Sequence, residues 1–189
     1  MSDQGSVDDA LNNSVRYIKE GLANAVKLEC GRQVFLQIKA IGQAVIPVMV
    51  HLGLIPLSIN AFGGYKVQGK DEAAAQKLLD DAKAIADAGV FAIVLECVPS
   101  ALAQMVTEAV DVPTIGIGAG AGCDGQILVY QDMLGMFSDF TPKFVKRYAN
   151  IGEAMKSAFK SYIDEVGEGA FPAAEHGYTI ANEVIEKLY

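Results

Sequence analysis

The sequence lacks tryptophan, is poor in cysteine and histidine, and carries no excess of positive charge. Its 189 residues include three cysteines and two histidines, and 15 Lys and Arg against 23 Asp and Glu give a formal net charge of -8. Without a basic stripe to neutralise phosphates, binding of nucleic acid is not expected. An acidic surface gives no attraction to anionic membranes either, and no apolar run approaches the roughly 20 residues of a membrane span.

The cysteines are too few and too scattered for a disulfide framework or a zinc site. The number of cysteines is odd and no two form a CxxC pair; they are Cys30, Cys97 and Cys123. This pattern predicts free thiols in a reducing compartment. None has an evident base partner that would make it a nucleophile. The polar, acidic start, MSDQGSVDD, resembles neither a signal peptide nor a transit peptide, so a cytoplasmic protein is expected.

What the sequence does contain is an alternation of apolar runs and amphipathic segments. The apolar runs are continuous rather than alternating, which predicts parallel strands buried on both faces, over 25–29, 45–50, 91–96, 113–117 and 126–130. The amphipathic segments predict helices over 7–20, 33–43, 71–88, 99–110, 151–166 and 173–188. Ser6 provides an N-cap for the first helix, and glycines 21, 89 and 167 provide stops. We therefore expect one α/β domain over 1–189.

Glutamates follow two of these apolar runs in the same way. Glu29 ends VKLE and Glu96 ends VLE, and one predicted strand lies between them. A lone glutamate would simply mark where a strand meets solvent, but two equivalent ones favour a site, because side chains from alternate strands share a layer in an α/β barrel. Lys27 has the same pleat parity as Glu29 and should bind an anion or pair with that glutamate. Acids at the strand ends favour a barrel over an open doubly wound sheet.

The stretch from His51 to Gly69 reads HLGLIPLSINAFGGYKVQG and predicts a long ordered loop after the second strand. Such a loop is where a barrel builds its ligand site. His51 is either a hydrogen-bonded structural residue or a donor to an anionic substrate or cofactor, and Tyr65 and Lys66 could close over a ligand. His176 is expected at the surface or at an interface.

A glycine run over 115–125, IGIGAGAGCDG, fits a loose dinucleotide-binding pattern. That fingerprint requires a helix directly after the run, whereas QILVY at 126–130 predicts a strand. We expect close backbone approach at a barrel mouth instead, with Asp124 capping or turning the loop.

Several segments together resemble the ketopantoate hydroxymethyltransferase family. They are VKLE, HLGLIPLS, FGGYKVQGK, VLECVP, IGIGAGAGCDGQILVYQD, PKFVKRY and the AEHGY tail, in collinear order from about Ser6 onward. The resemblance implies a (β/α)₈ barrel, present here as the last five βα units plus C-terminal helices. It also implies a homo-oligomer, often a decamer.

The same resemblance implies a function. Family members transfer a hydroxymethyl unit from 5,10-methylenetetrahydrofolate to α-ketoisovalerate, and a magnesium ion activates the keto acid. The family's catalytic base falls on Glu96, its keto-acid-binding lysine on Lys27 and its metal-site glutamate on Glu29. His51 is expected to contact the substrate.

The sequence also departs from the family pattern. Family members carry three βα units upstream of the matching region, with two magnesium-binding aspartates and a substrate-contacting serine. Val50, Ile55, Leu57 and Gln131 replace the usual Gly, Thr, Gln and His. Two further hypotheses therefore stay open. One is a non-catalytic, truncated paralogue that binds a full-length partner, and the other is a metal-dependent lyase or mutase acting on keto acids.

Overall fold

The computed structural model describes residues 5–29, 31–55, 66–136 and 140–188. Its contacts divide the chain into two compact units, 1–128 and 129–189, which are described separately below. A single domain over 1–189 stays a prediction. None of the helices in the described part of the chain combines the length and the hydropathy of a membrane span.

The first unit alternates helices and strands. Its elements are α1 (Val7–Lys19), β1 (Val26–Glu29), a 3₁₀ turn (Arg32–Val34), α2 (Phe35–Gln43), β2 (Val48–Gly53), α3 (Glu72–Asp87), β3 (Ala92–Glu96), α4 (Ser100–Ala109), β4 (Thr114–Ile117) and β5 (Gly125–Gln126). The second unit contains α5 (Tyr130–Met133), α6 (Ile151–Glu168), a 3₁₀ turn (Ala174–His176) and α7 (Asn182–Ile185).

Helix ends in the first unit follow from local chemistry. The Ser6 hydroxyl accepts a hydrogen bond from the Asp9 N–H at 3.1 Å, and the Asp71 carboxylate accepts one from the Ala74 N–H at 2.9 Å. Both contacts satisfy N–H groups that the first helical turn leaves without partners. Gly89, with φ at +93°, ends α3 in the left-handed conformation that favours glycine. The predicted cap at Ser6 and stop at Gly89 are confirmed.

All five strands pair in parallel, in the order β1-β2-β3-β4-β5. An open doubly wound sheet reverses its strand order at a switch point, whereas a barrel adds each strand beside the last. The observed order does not reverse. The α/β class is confirmed, and the sheet has the sequential order of a barrel segment.

The helices cover one face of this sheet. The core joins residues of α1 to α4 to strand residues of one pleat parity, namely Val26, Leu28, Val48, Val50, Leu52, Ile93 and Leu95. Fully burying an aliphatic side chain of this size contributes about 1.5–3 kcal/mol. Side chains of the opposite parity point to the other face, which in a barrel is the interior.

The second strand begins three residues later than predicted. The turn after α2 occupies Ala44 to Ile46, where the Val45 N–H donates to the Gly42 carbonyl at 2.9 Å. Pro47 has no N–H, and its carbonyl accepts from Val26 at 3.0 Å, just ahead of the strand. His51 consequently lies inside β2 rather than in the loop that follows it.

Predictions near the C-terminus were less accurate. The predicted strand over 126–130 contributes only Gln126 to β5, and Ile127 and Val129 are exposed, because no further strand pairs beyond β5 among the described residues. Helix α6 continues through Gly167 and ends at Gly169, which has φ at +73°.

The predicted helix over 173–188 was wrong. It reduces to a 3₁₀ turn and the short α7, and no described residue over 174–188 is buried. Helices of this length draw most of their stability from a packed apolar face, which this segment does not have.

Asp124 ties the end of the glycine run over 115–125 back to the start of β4, as expected. Its carboxylate accepts hydrogen bonds from the Thr114 N–H at 2.8 Å and the Thr114 hydroxyl at 3.1 Å. These two contacts lower the pKa of Asp124, the backbone N–H having the larger effect. A side chain at Gly120 would collide with Ser100 at the start of α4. Because a strand follows the run rather than a helix, the dinucleotide-binding pattern is not fulfilled.

Replacing Val45 by glycine should stabilise the protein. Val45 adopts φ at +62° at the position after α2 that Gly89 occupies after α3, and its side chain is 88% exposed. The left-handed conformation costs an L-residue about 1–2 kcal/mol, and the greater freedom of glycine in the unfolded chain offsets part of the gain. We expect Val45→Gly to raise the free energy of unfolding by about 0.5–1 kcal/mol in urea denaturation. Val45→Ala, which retains the Cβ, is the control, and a lower stability of Val45→Gly would contradict this account.

Candidate active site

Strand register brings the sequence-predicted site residues to one face of the sheet. Glu29 pairs with His51 across β1 and β2, and His51 pairs with Val94 across β2 and β3. Glu96 lies two residues beyond Val94 and therefore points the same way. Lys27 lies two residues before Glu29 and shares its face. All four side chains are thus on the face opposite the helix-packed core.

The His51 imidazole and the Glu96 carboxylate form the centre of this group. His51 Nε2 lies 3.1 Å from Glu96 Oε2, and the two side chains are only 4% and 14% exposed. Neither ring nitrogen makes a hydrogen bond of good geometry within the described part of the chain. Buried polar atoms are normally satisfied. A buried imidazole beside a carboxylate is therefore suited to accept or donate a hydrogen bond to a ligand.

Glu29 and Lys27 lie at the β1 side of the same face. Adjacent strands are about 4.8 Å apart, so Glu29 is one strand from His51 and about two strand spacings from Glu96. Glu29 is half-buried and Lys27 is exposed. The face therefore presents the exposed Lys27 cation at one side and the partly buried Glu96 carboxylate at the other. This is a suitable arrangement for a small acid whose reactive carbon lies near Glu96.

The chain directly after Glu96 has an unusual backbone. Cys97 adopts φ at +51°, and Gly53, beside Glu96 in β2, adopts φ at +90°. Left-handed positions of this kind cluster at functional sites. Sequence reasoning missed both residues, since a cysteine gives no sign of its φ and Gly53 looked like one of several loop glycines.

Cys97 and Cys123 are free thiols, as predicted, whereas Cys30 lies outside the described residues. Burial raises the pKa of the Cys97 thiol above its ordinary value, and the neighbouring Glu96 carboxylate raises it further. A thiol held in its protonated form is a poor nucleophile. This agrees with the expectation that Cys97 has no nucleophilic role.

The predicted metal site is not assembled from the described residues alone. Over residues 5–29, 31–55, 66–136 and 140–188, no three Asp, Glu, His or Cys side chains come together in a way that could hold a metal ion. Magnesium requires several oxygen ligands in octahedral geometry, and Glu29 alone cannot supply them. The residues described here therefore do not fit a complete magnesium site.

The remaining sequence candidates lie elsewhere. Residues 56–65 of the predicted loop, including Leu57 and Tyr65, are outside the described residues, and Lys66 is exposed. His176 is exposed in the second unit, where its Nδ1 accepts a hydrogen bond from the Ala173 N–H at 3.1 Å. That contact gives His176 a local structural role, and its exposure agrees with the expected surface position.

A separate cavity of about 270 Å³ lies on the helix side of the sheet, between the end of β2 and α3. Its lining includes Leu52, Leu78 and the buried Asp81, and Asp81 is paired with Lys77. Leu52 faces the helices, so this cavity is on the opposite face from His51 and Glu96. It contains no part of the carboxylate–imidazole group.

Comparison with known proteins gives a consistent result. A 3-methyl-2-oxobutanoate hydroxymethyltransferase of Clostridium novyi (strain NT) is 67% identical over all of this chain, which covers 69% of that protein. The enzymes of the same name from Enterococcus faecalis (strain ATCC 700802 / V583) and Carboxydothermus hydrogenoformans (strain ATCC BAA-161 / DSM 6008 / Z-2901) are 62% and 57% identical. Each matches the whole chain, which covers 69% and 68% of their lengths respectively. The family model for ketopantoate hydroxymethyltransferase matches residues 1–174. The chain therefore belongs to the ketopantoate hydroxymethyltransferase family.

Proposed function

We propose that this chain carries the proton-abstracting half of a hydroxymethyl transfer to 3-methyl-2-oxobutanoate. The family match and the names of the relatives support the hydroxymethyltransferase class. The observation that carries the proposal is the partly buried Glu96 carboxylate, 3.1 Å from His51 Nε2, on the same face as Lys27 and Glu29. In this proposal Glu96 is the base, Lys27 and His51 bind the keto acid, and Glu29 is assigned to the metal by the family resemblance alone.

The chemistry begins at the C–H bond next to the ketone of the keto acid. Glu96 takes this proton and leaves an enolate, whose carbon then attacks the one-carbon unit of the donor. The new C–C bond forms as one C–N bond of the donor breaks. Water supplies the hydroxyl group as the second C–N bond breaks, the two donor nitrogens take up the two protons released, and tetrahydrofolate leaves. A positioned general base contributes typically 10²–10⁴-fold to such a step. The apolar neighbours of Glu96, Val94 and Ile117, are buried and limit the access of water to the carboxylate.

Binding of the keto acid uses the opposite end of the same face. Its carboxylate pairs with the Lys27 ammonium, because an exposed cation on a face otherwise bearing carboxylates is the complementary charge. The His51 imidazole lies between the two ends and hydrogen-bonds the substrate through a nitrogen that has no protein partner among the described residues. This orientation places the reactive carbon towards Glu96.

Other parts of the proposal follow from the family resemblance. The one-carbon donor is 5,10-methylenetetrahydrofolate, and the protein is a cytoplasmic homo-oligomer of the decamer type. Magnesium would take Glu29 as one ligand and would acidify the keto acid as a Lewis acid. The described residues do not complete that site, and the roles proposed for Glu96, Lys27 and His51 do not include the metal.

Removing the proposed base should abolish proton exchange while leaving substrate binding. We expect Glu96→Gln to slow hydrogen–deuterium exchange at C3 of 3-methyl-2-oxobutanoate by at least about 10²-fold, as measured by proton NMR in D₂O. The amide preserves size and hydrogen bonding but cannot take the proton. The control is Glu108→Gln, which removes an exposed carboxylate on α4 and should leave exchange unchanged. Undiminished exchange in Glu96→Gln would exclude Glu96 as the base.

The charge on Glu96 can be followed through Cys97. Because burial and the Glu96 carboxylate both raise the pKa of Cys97, alkylation of this thiol by iodoacetamide should reach half its maximal rate at a higher pH than for free cysteine. Glu96→Gln should move that midpoint to lower pH without restoring the free-cysteine value, since burial remains. Peptide mass spectrometry separates Cys97 from the other cysteines. A midpoint that Glu96→Gln leaves in place would show that Glu96 carries no charge beside the thiol.

A further inference from the structure

We infer that Gly53 is a positioning residue for Glu96, an inference that rests on the proposed function of Glu96 as the base. Gly53 is the last residue of β2 and pairs with Glu96 in the register of β2 and β3. It does not act on the substrate itself. It fixes the backbone from which the Glu96 side chain projects.

The first observation is the close approach of the two backbones. Gly53 adopts φ at +90°, and a Cβ at this position would collide with the Glu96 carbonyl oxygen. The same Cβ would lie 2.9 Å from Cγ2 of Val98. Only glycine allows β2 to end this close to the backbone of Glu96.

The second observation is the set of hydrogen bonds that this approach makes possible. The Leu54 N–H donates to the Glu96 carbonyl at 2.9 Å, and the Gln68 N–H donates to the Cys97 carbonyl at 2.8 Å. From the other side, the Cys97 N–H donates to the Ile117 carbonyl at 3.0 Å. The backbone around Glu96 is therefore held by β2, by residue 68 and by β4 together.

Fixing this backbone fixes the carboxylate. Glu96 Oε2 is 3.1 Å from His51 Nε2, and His51 lies two residues before Gly53 in the same strand. A side chain at position 53 would push the Glu96 backbone away from β2 and lengthen this contact. A misplacement of about 1 Å at a reacting group can cost on the order of 10²-fold in rate.

Two alanine variants separate positioning from the general cost of a left-handed residue. Gly53→Ala and Gly89→Ala both force an L-residue into positive φ, but a Cβ at Gly89, with φ at +93°, meets no atom within 4 Å. We expect both variants to lose thermal stability. Only Gly53→Ala should lower the rate of C3 proton exchange and kcat, by about 10- to 100-fold, with KM for the keto acid within about 3-fold of wild type. Equal rates in the two variants would overturn the inference.

An NMR readout makes the test independent of activity. The ¹⁵N resonance of His51 Nε2 should shift in Gly53→Ala and stay in place in Gly89→Ala, because only the first variant displaces Glu96. If the wild-type protein exchanges no proton, the proposed function fails, and this resonance alone decides the inference.

A second pair covers the case in which Gly53→Ala does not fold. Asparagine tolerates positive φ better than alanine but still carries a Cβ, so Gly53→Asn and Gly89→Asn repeat the comparison at lower backbone cost. The same difference in exchange rate and His51 resonance is expected. If neither Gly53 variant folds while both Gly89 variants do, Gly53 is required for the fold as a whole, and the positioning role is refuted.

Discussion

Parallel hydrogen bonding between β1, β2 and β3 is the constraint on which both the core and the candidate site depend. The register places Glu29, His51 and Val94 side by side and puts Glu96 on the same face. The alternate residues form the apolar core against α1 to α4. A slip of one residue would exchange the faces and bury carboxylates among the helices, at a cost that the apolar core could not offset.

The ends of the strands carry backbone conformations that stability alone does not favour. Gly53 and Cys97 both adopt left-handed φ beside Glu96. Such residues persist when surrounding contacts hold them, as the hydrogen bonds to the Glu96 and Cys97 carbonyls do here. Val45 is also left-handed but lies in the turn between α2 and β2. The proposed function of Glu96 would account for the positive φ values beside it, whereas the positive φ of Val45 belongs to the turn that ends α2.

Much of the fold could be predicted from residue patterns, because caps, glycine stops and apolar runs act locally. Ser6 caps α1 and Gly89 ends α3 as the sequence indicates. The apolar runs in the sequence likewise predict that Glu29 and Glu96 lie at strand ends, as the structure has them. The His51–Glu96 contact was not, because it depends on which residues of two strands pair, and β2 begins after Pro47 rather than at Val45. The prediction of a helix over 173–188 was wrong for a related reason. Periodicity shows that a segment has an apolar face, but it does not show whether that face packs against another element.

The central claim is that the keto acid binds on the His51 and Glu96 face and not in the cavity beside α3. Titration of the isotopically labelled chain with 3-methyl-2-oxobutanoate, followed by two-dimensional NMR, tests it most directly. The account predicts that the largest shifts occur at Lys27, His51, Val94 and Glu96. Shifts concentrated instead at Lys77, Leu78 and Asp81, which line the helix-side cavity, would contradict it.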